Sequence, residues 1–182
     1  CEACPAGKYC APGGKSNGDQ QDCPAGFYCP QGTARWYAHP CPGGYYYRNT
    51  NDSLKSEDEC KTKGTICPQG YYCPAGTADK IPCPVGTYNS VEGKTSVKDC
   101  TLCPAGTFGD IAGATGCTAK CPAGHYCPAG TRYAKEFPCP EGTYNDSEGA
   151  TSVDSCQACT AGFLCPRGST SDEALPCPMG YY

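Results

Sequence analysis

Cys121-Pro122-Ala123-Gly124-His125-Tyr126-Cys127 recurs, with small changes, along the whole chain. The shared pattern is Cys, Pro, any, Gly, any, aromatic, and it starts at residues 4, 23, 41, 67, 83, 103, 121, 139, 159 and 177. Proline follows the cysteine in every copy but one, where Thr160 stands. Glycine holds the fourth place throughout, and only Leu164 replaces the aromatic at the sixth. Repetition at this short period makes the chain an array of small units rather than a conventional domain.

The residue types explain one another. Proline presets φ for the second place of a turn, and glycine is favoured at the fourth. Cys-Pro-x-Gly therefore reads as a tight turn whose first residue is a crosslink. The aromatic falls on a short extended stretch, where it covers sulfur or the next proline ring.

Composition agrees. Leu, Ile, Val and Phe together number only 15 of 182 residues, too few for a hydrocarbon core. Cysteine is abundant at 20 residues, which marks a disulfide scaffold from an oxidising compartment, extracellular or on a cell surface. The 24 Gly and 18 Pro favour turns over helices. Net charge is −4 without a basic stripe, which argues against nucleic acid and anionic lipid as partners. No apolar run is long enough for a membrane span.

Units come in two kinds. In the short kind the second cysteine follows six residues after the first, giving Cys4–Cys10, Cys23–Cys29, Cys67–Cys73, Cys121–Cys127 and Cys159–Cys165. In the long kind it follows after 14 to 19, giving Cys41–Cys60, Cys83–Cys100, Cys103–Cys117 and Cys139–Cys156. Most units carry a second glycine turn, such as Pro128-Ala129-Gly130-Thr131 or Glu148-Gly149-Ala150-Thr151. This within-unit pairing leaves Cys1 and Cys177 over, as expected of an array, residues 1–182, cut at both ends. A rival scheme interlaces units, with Cys121–Cys139 and Cys127–Cys156, or Cys67–Cys83 and Cys73–Cys100. Six extended residues span roughly 20 Å, so Cys121 reaches Cys127 only if the chain reverses between them. Spacing alone leaves both schemes open. The expected fold is small disulfide-rich repeats, irregular with strands of two to four residues and almost no helix. Stacked units give an elongated rod. The charged run from Lys55 to Lys63 reads as a solvated loop.

Cys-Pro-x-Gly-Thr-Tyr followed by Gly-x-Thr-Ser and a closing cysteine, at 83–100 and 139–156, resembles the ephrin-receptor-like cysteine-rich repeats. More loosely the array resembles tumour-necrosis-factor-receptor-like modules. The resemblance spans essentially all 182 residues and implies a large secreted or surface protein. The short units depart from the family pattern, and so does the 41–66 unit, which lacks the second glycine.

Cys100, Cys103, Cys117 and Cys121 have the spacing of a zinc site, but the repeat already accounts for them. His39 and His125 are the only histidines and lie far apart. No metal, cofactor or catalytic constellation is expected. Asn51-Asp52-Ser53 and Asn145-Asp146-Ser147 are sequons, expected on exposed loops that carry glycan. Arg35, Trp36 and Tyr37, followed by Tyr45, Tyr46 and Tyr47, form a candidate contact patch; an internal joint between units is the alternative. Function then reads as an extracellular structural protein, a glycosylated segment of a rod or filament such as a surface fibre or flagellar hair. Its partners would be further copies of itself or neighbouring repeats. The competing class is a receptor or adhesion ectodomain with a protein ligand.

Overall fold

A disulfide between residues six apart needs the chain to double back about its midpoint. In the unit at 121 the turn runs Pro122-Ala123-Gly124-His125, closed by the His125 N–H donating to the Pro122 carbonyl at 3.2 Å. Gly124, at the third place, has φ +78°. That is the conformation a type II turn demands of glycine. The sequence places the turn one residue earlier, with glycine fourth. The observed register differs because it centres the reversal on the seven-residue loop and brings the Cys121 and Cys127 Cα atoms to 5.8 Å. Equivalent proline carbonyls accept in the same way at Tyr71, Thr87, Thr107 and Thr143. Where threonine follows the glycine, its hydroxyl adds a second bond to the same carbonyl, as Thr87 and Thr107 do at 2.6 and 2.7 Å.

This computed structural model describes residues 2–11, 20–48 and 53–179. It divides into two bodies, Cys1–Pro82 with Ser90–Cys100, and Cys83–Asn89 with Thr101–Tyr182. In each, the residues after the turn pair antiparallel with those just before the next unit's cysteine. The first body holds β1 (Lys8–Cys10) with β2 (Gln20–Asp22), β3 (Tyr45–Tyr46) with β4 (Thr65–Ile66), and β5 (Tyr71–Tyr72) with β6 (Ile81–Pro82). The second holds β7 (Thr87–Tyr88) with β8 (Thr101–Leu102), β9 (Thr107–Phe108) with β10 (Ala119–Lys120), β11 (Thr143–Tyr144) with β12 (Gln157–Ala158), and β13 (Phe163–Leu164) with β14 (Leu175–Pro176). Single bridges, Phe27 to Pro40 and His125 to Pro138, take the place of strands in two short units.

The charged run expected as a loop is instead a helix, α1 (Glu57–Lys63). Ser56 caps it by accepting from the Glu59 N–H, and Glu59 reaches back to the Lys55 N–H at 2.8 Å. Three acids lie in its first turn and two lysines in its last, which complements the helix dipole. Lys61–Glu57 and Lys63–Glu59 pair at 2.9 and 3.6 Å. The helix buries one residue, Cys60, whose bridge to Cys41 ties it down. A helix this short is marginal alone; the bridge and the caps hold it.

Sulfur forms most of the interior. Among the described residues the fully buried side chains are cysteines, with Leu54 the one hydrocarbon. A small cluster joins Cys41, Tyr47, Leu54 and Cys60, with Tyr28 against it.

Neighbouring units within each body are joined by backbone hydrogen bonds of four recurring kinds. The first cysteine's N–H donates back to the preceding turn glycine, as Cys121 to Gly106 at 2.9 Å and Cys139 to Gly124 at 2.8 Å. The turn glycine's N–H donates forward to the residue six past the next cysteine, as Gly106 to Cys127 at 2.8 Å and Gly124 to Asn145 at 2.7 Å. That sixth residue's own N–H goes forward to the second turn of the next unit, as Cys127 to Ala150 at 2.9 Å and Asn145 to Ser169 at 3.1 Å. The second-turn glycine donates back to the preceding unit's first cysteine, as Gly149 to Cys121 at 2.7 Å and Gly168 to Cys139 at 3.0 Å. The first body repeats the scheme with Cys67 to Gly44, Gly44 to Cys73, Cys73 to Lys94 and Gly93 to Cys67. Units two apart also touch. A Cβ on Gly124 would lie 2.3 Å from the Gly168 carbonyl oxygen, so only glycine allows that approach.

Candidate functional site

The two halves of the predicted patch separate. Trp36 and Tyr37 sit on a short 3-10 turn, Trp36–Ala38, and are 39% and 54% exposed. Trp36 is held edge-on between Phe27, with centroids 5.0 Å apart, and Tyr37, at 5.5 Å. Arg35, Trp36 and Tyr37 line an open groove with Tyr9, Gln21 and Ala34. Tyr9 on β1 lies opposite Gln21 on β2, and its hydroxyl donates to the Gln21 side-chain oxygen. The groove thus offers two exposed aromatic surfaces, a guanidinium and an amide. That combination suits a sugar or a polar protein loop.

Tyr45, Tyr46 and Tyr47 play a different part. Tyr45 and Tyr46 form β3, half-buried, opposite Ile66 and Thr65. Tyr47 is only 9% exposed and packs with Cys41, Leu54 and Cys60, so it is core rather than contact surface. The sequence groups it with Trp36 by composition; what decides its place is that residue 47 stands six past Cys41, where short units put the second cysteine. Beside it, Arg48 pairs with Asp79. The Arg48 hydrogen bond, and then the Lys80 N–H, hold the Asp79 carboxyl below its ordinary range.

The same sixth place carries Asn145. Expected on an exposed loop, it is 6% exposed. Its Nδ2 donates to the Ser147 carbonyl at 3.0 Å and the His125 carbonyl at 3.4 Å, and its Oδ1 accepts from the Ser147 N–H at 3.1 Å. Asn89 is equally buried. Asparagine here replaces the missing cysteine by hydrogen bonding, which the sequon pattern does not reveal. Asn51 lies outside the described residues, as does Cys1.

Eight bridges each join two cysteines of one unit: Cys4–Cys10, Cys23–Cys29, Cys41–Cys60, Cys67–Cys73, Cys103–Cys117, Cys121–Cys127, Cys139–Cys156 and Cys159–Cys165. Cys83 and Cys100 are also disulfide-bonded, and Cys177 is free. All four cysteines with zinc-like spacing are therefore taken up in bridges. Among the described residues no three His, Cys, Asp or Glu side chains group as a metal site. Nor is any helix among them long and apolar enough to cross a membrane. His125 lies with its Nδ1 3.2 Å from the Ala123 carbonyl, and His39 is set against Tyr28.

Residues 70–119 match the family model for tyrosine-protein kinase ephrin type A/B receptor-like repeats. No curated protein matches the chain. That stretch spans parts of three units, with the turns at Gly86 and Gly106, and is an ephrin-receptor-like cysteine-rich repeat region. The disulfides and this match make the chain an extracellular, receptor-like or repeat protein.

Proposed function

We propose that the chain is a structural segment of an extracellular rod or filament, one continuous array of disulfide-stapled units over residues 1–182. The observation that supports this reading is the repeated set of four backbone bonds between neighbouring units. It uses almost no side-chain specificity and so serves any number of copies. Further copies of the chain are the partners this role requires. Glycan on Asn51 belongs to the same reading, and glycan on Asn145 requires attachment before its unit closes. Electron microscopy of native material tests the proposal: filaments are expected, and isolated molecules would overturn it.

The Trp36 groove favours a second reading, a ligand-binding or adhesion ectodomain. Trp36→Ala would then abolish binding to a partner captured by the intact chain while leaving the fold unchanged. Loss of the fold instead would make Trp36 a joint between units.

A further inference from the structure

Side chains alternate across a β-ribbon, and in β1 and β2 this sorts the charges. Tyr9 stands opposite Gln21 on the face that lines the Trp36 groove, and Lys8 stands opposite Asp22 on the other face. The Asp22 carboxylate is matched there by the Lys8 ammonium at 3.4 Å. Within the groove the Tyr9 hydroxyl takes up the Gln21 side-chain oxygen, which leaves the Gln21 Nε2 group to donate. The Arg35 guanidinium has no carboxylate at ion-pair distance among the described residues. Ala11 and Ala34 complete the lining, and no member of it is acidic.

The groove therefore offers polar hydrogens on Gln21 and Arg35, an uncompensated positive charge and two exposed rings. Its volume is about 510 Å³, within the roughly 300–1,000 Å³ of small-molecule sites. The two alanines are its aliphatic members and are too short to wall a pocket for a peptide side chain. Flat rings beside converging donors suit a sugar better. The C–H face of a pyranose lies on the rings, and its oxygens accept from the donors. A guanidinium without a partner adds a match for a planar carboxylate, which it binds through two parallel N–H···O bonds.

We propose that the Trp36 groove binds an acidic saccharide, a pyranose bearing a carboxylate, as in a uronic acid residue of a glycan chain. Arg35 takes the carboxylate, the Gln21 Nε2 group takes a ring or hydroxyl oxygen, and Trp36 with Tyr37 takes the apolar face of the sugar. The inference rests on the ectodomain reading and names the chemical class of its ligand.

Trp36 is the only tryptophan of the chain, so its fluorescence reports on the groove in the unaltered protein. The probes are a trimer of galacturonic acid, the same trimer with its carboxyls methyl-esterified, and tetraglutamate. The acid trimer should change Trp36 emission saturably and bind about tenfold more tightly than the ester, the worth of one charge-assisted contact. Raised salt should erase that advantage. Arg35→Gln should weaken the acid trimer about tenfold and leave the ester unchanged, while an amide spectrum like that of the parent shows the fold intact. The proposal is overturned if the acid trimer gives no saturable response, if acid and ester bind equally, or if Arg35→Gln binds the acid as before. Tetraglutamate binding as well as the acid trimer would assign the groove to acidic peptides and equally overturn it. The ectodomain reading is tested apart: if no sugar binds but Trp36→Ala still loses the captured partner, only the ligand class falls.

Discussion

The units at 121 and 139 begin with the same turn and then diverge. Gly124 and Gly142 have φ +78° and +81°, yet one is pressed against Gly168 and the other opens on a groove. Six residues past the first cysteine, one unit has Cys127 in a bridge and the other has Asn145 in a net of hydrogen bonds. The backbone bonds to the next unit are the same in both, 2.9 Å from Cys127 and 3.1 Å from Asn145. Stacking is therefore written in the main chain. The sixth side chain closes its own loop by sulfur, an amide or the Tyr47 ring, and Asn145 adds one bond to the His125 carbonyl of the unit before it.

The largest break in this comparison should come from the glycines. Gly124→Ala combines left-handed strain with a clash against fixed backbone and should cost about 3 kcal/mol. Gly142→Ala carries the strain alone, about 1 kcal/mol. Denaturant midpoints of the two variants decide it, and equal losses would remove the packing argument. Next is the bridge. Replacing Cys121 and Cys127 together by serine should lower stability by about 2–3 kcal/mol. Peptide mapping without reductant should link Cys121 to Cys127, and a link from Cys127 to Cys156 would restore the interlaced scheme.

Asn145→Ala leaves the Ser147 N–H and two carbonyls unpaired and should cost about 1–2 kcal/mol. Glycopeptide analysis adds a sharper test, since glycan at Asn145 would mean that the buried amide is not essential to the folded unit. The smallest effect is electrostatic. In the tail of the 121 unit, Glu136 accepts from Arg132 and from the Arg132 and Tyr133 N–H groups, which hold its carboxyl below the ordinary range. A depressed folded value gives stability that is complete above the ordinary carboxylate range and is lost as pH falls through the folded value. Glu136→Gln should flatten that acid limb slightly in thermal melts, and an unchanged slope would show the pair to be idle at this exposed site.

The repeat, its two kinds of unit and the short strands are legible in the sequence because cysteine, proline and glycine each act locally. The helix at Glu57–Lys63 was not read from the sequence, although Ser56 with Glu59 three places on and lysines four places after acids are signals of one. Without an apolar stripe it reads as loop, since a buried cysteine does the work of that stripe. The turn register was not legible, because proline suits the first or second place and only the positive φ of Gly124 distinguishes them. Nor were the fates of Tyr47 and Asn145, which depend on their distance from a cysteine and not on their chemistry. Of the predicted patch, Arg35, Trp36 and Tyr37 do share one surface.

An interior made of cystine has a thermal consequence. Heat-capacity change on unfolding comes mainly from newly exposed hydrocarbon, about 12–15 cal/mol/K per residue in ordinary domains. Here Leu54 is the one fully buried hydrocarbon side chain among the described residues, and the bridges keep the opened loops compact. The stability curve should be shallow, nearly level from cold to warm, with neither a sharp melt nor a cold limit within reach. For such a chain the decisive stress is not temperature but electrons: a reductant dismantles what heating only loosens.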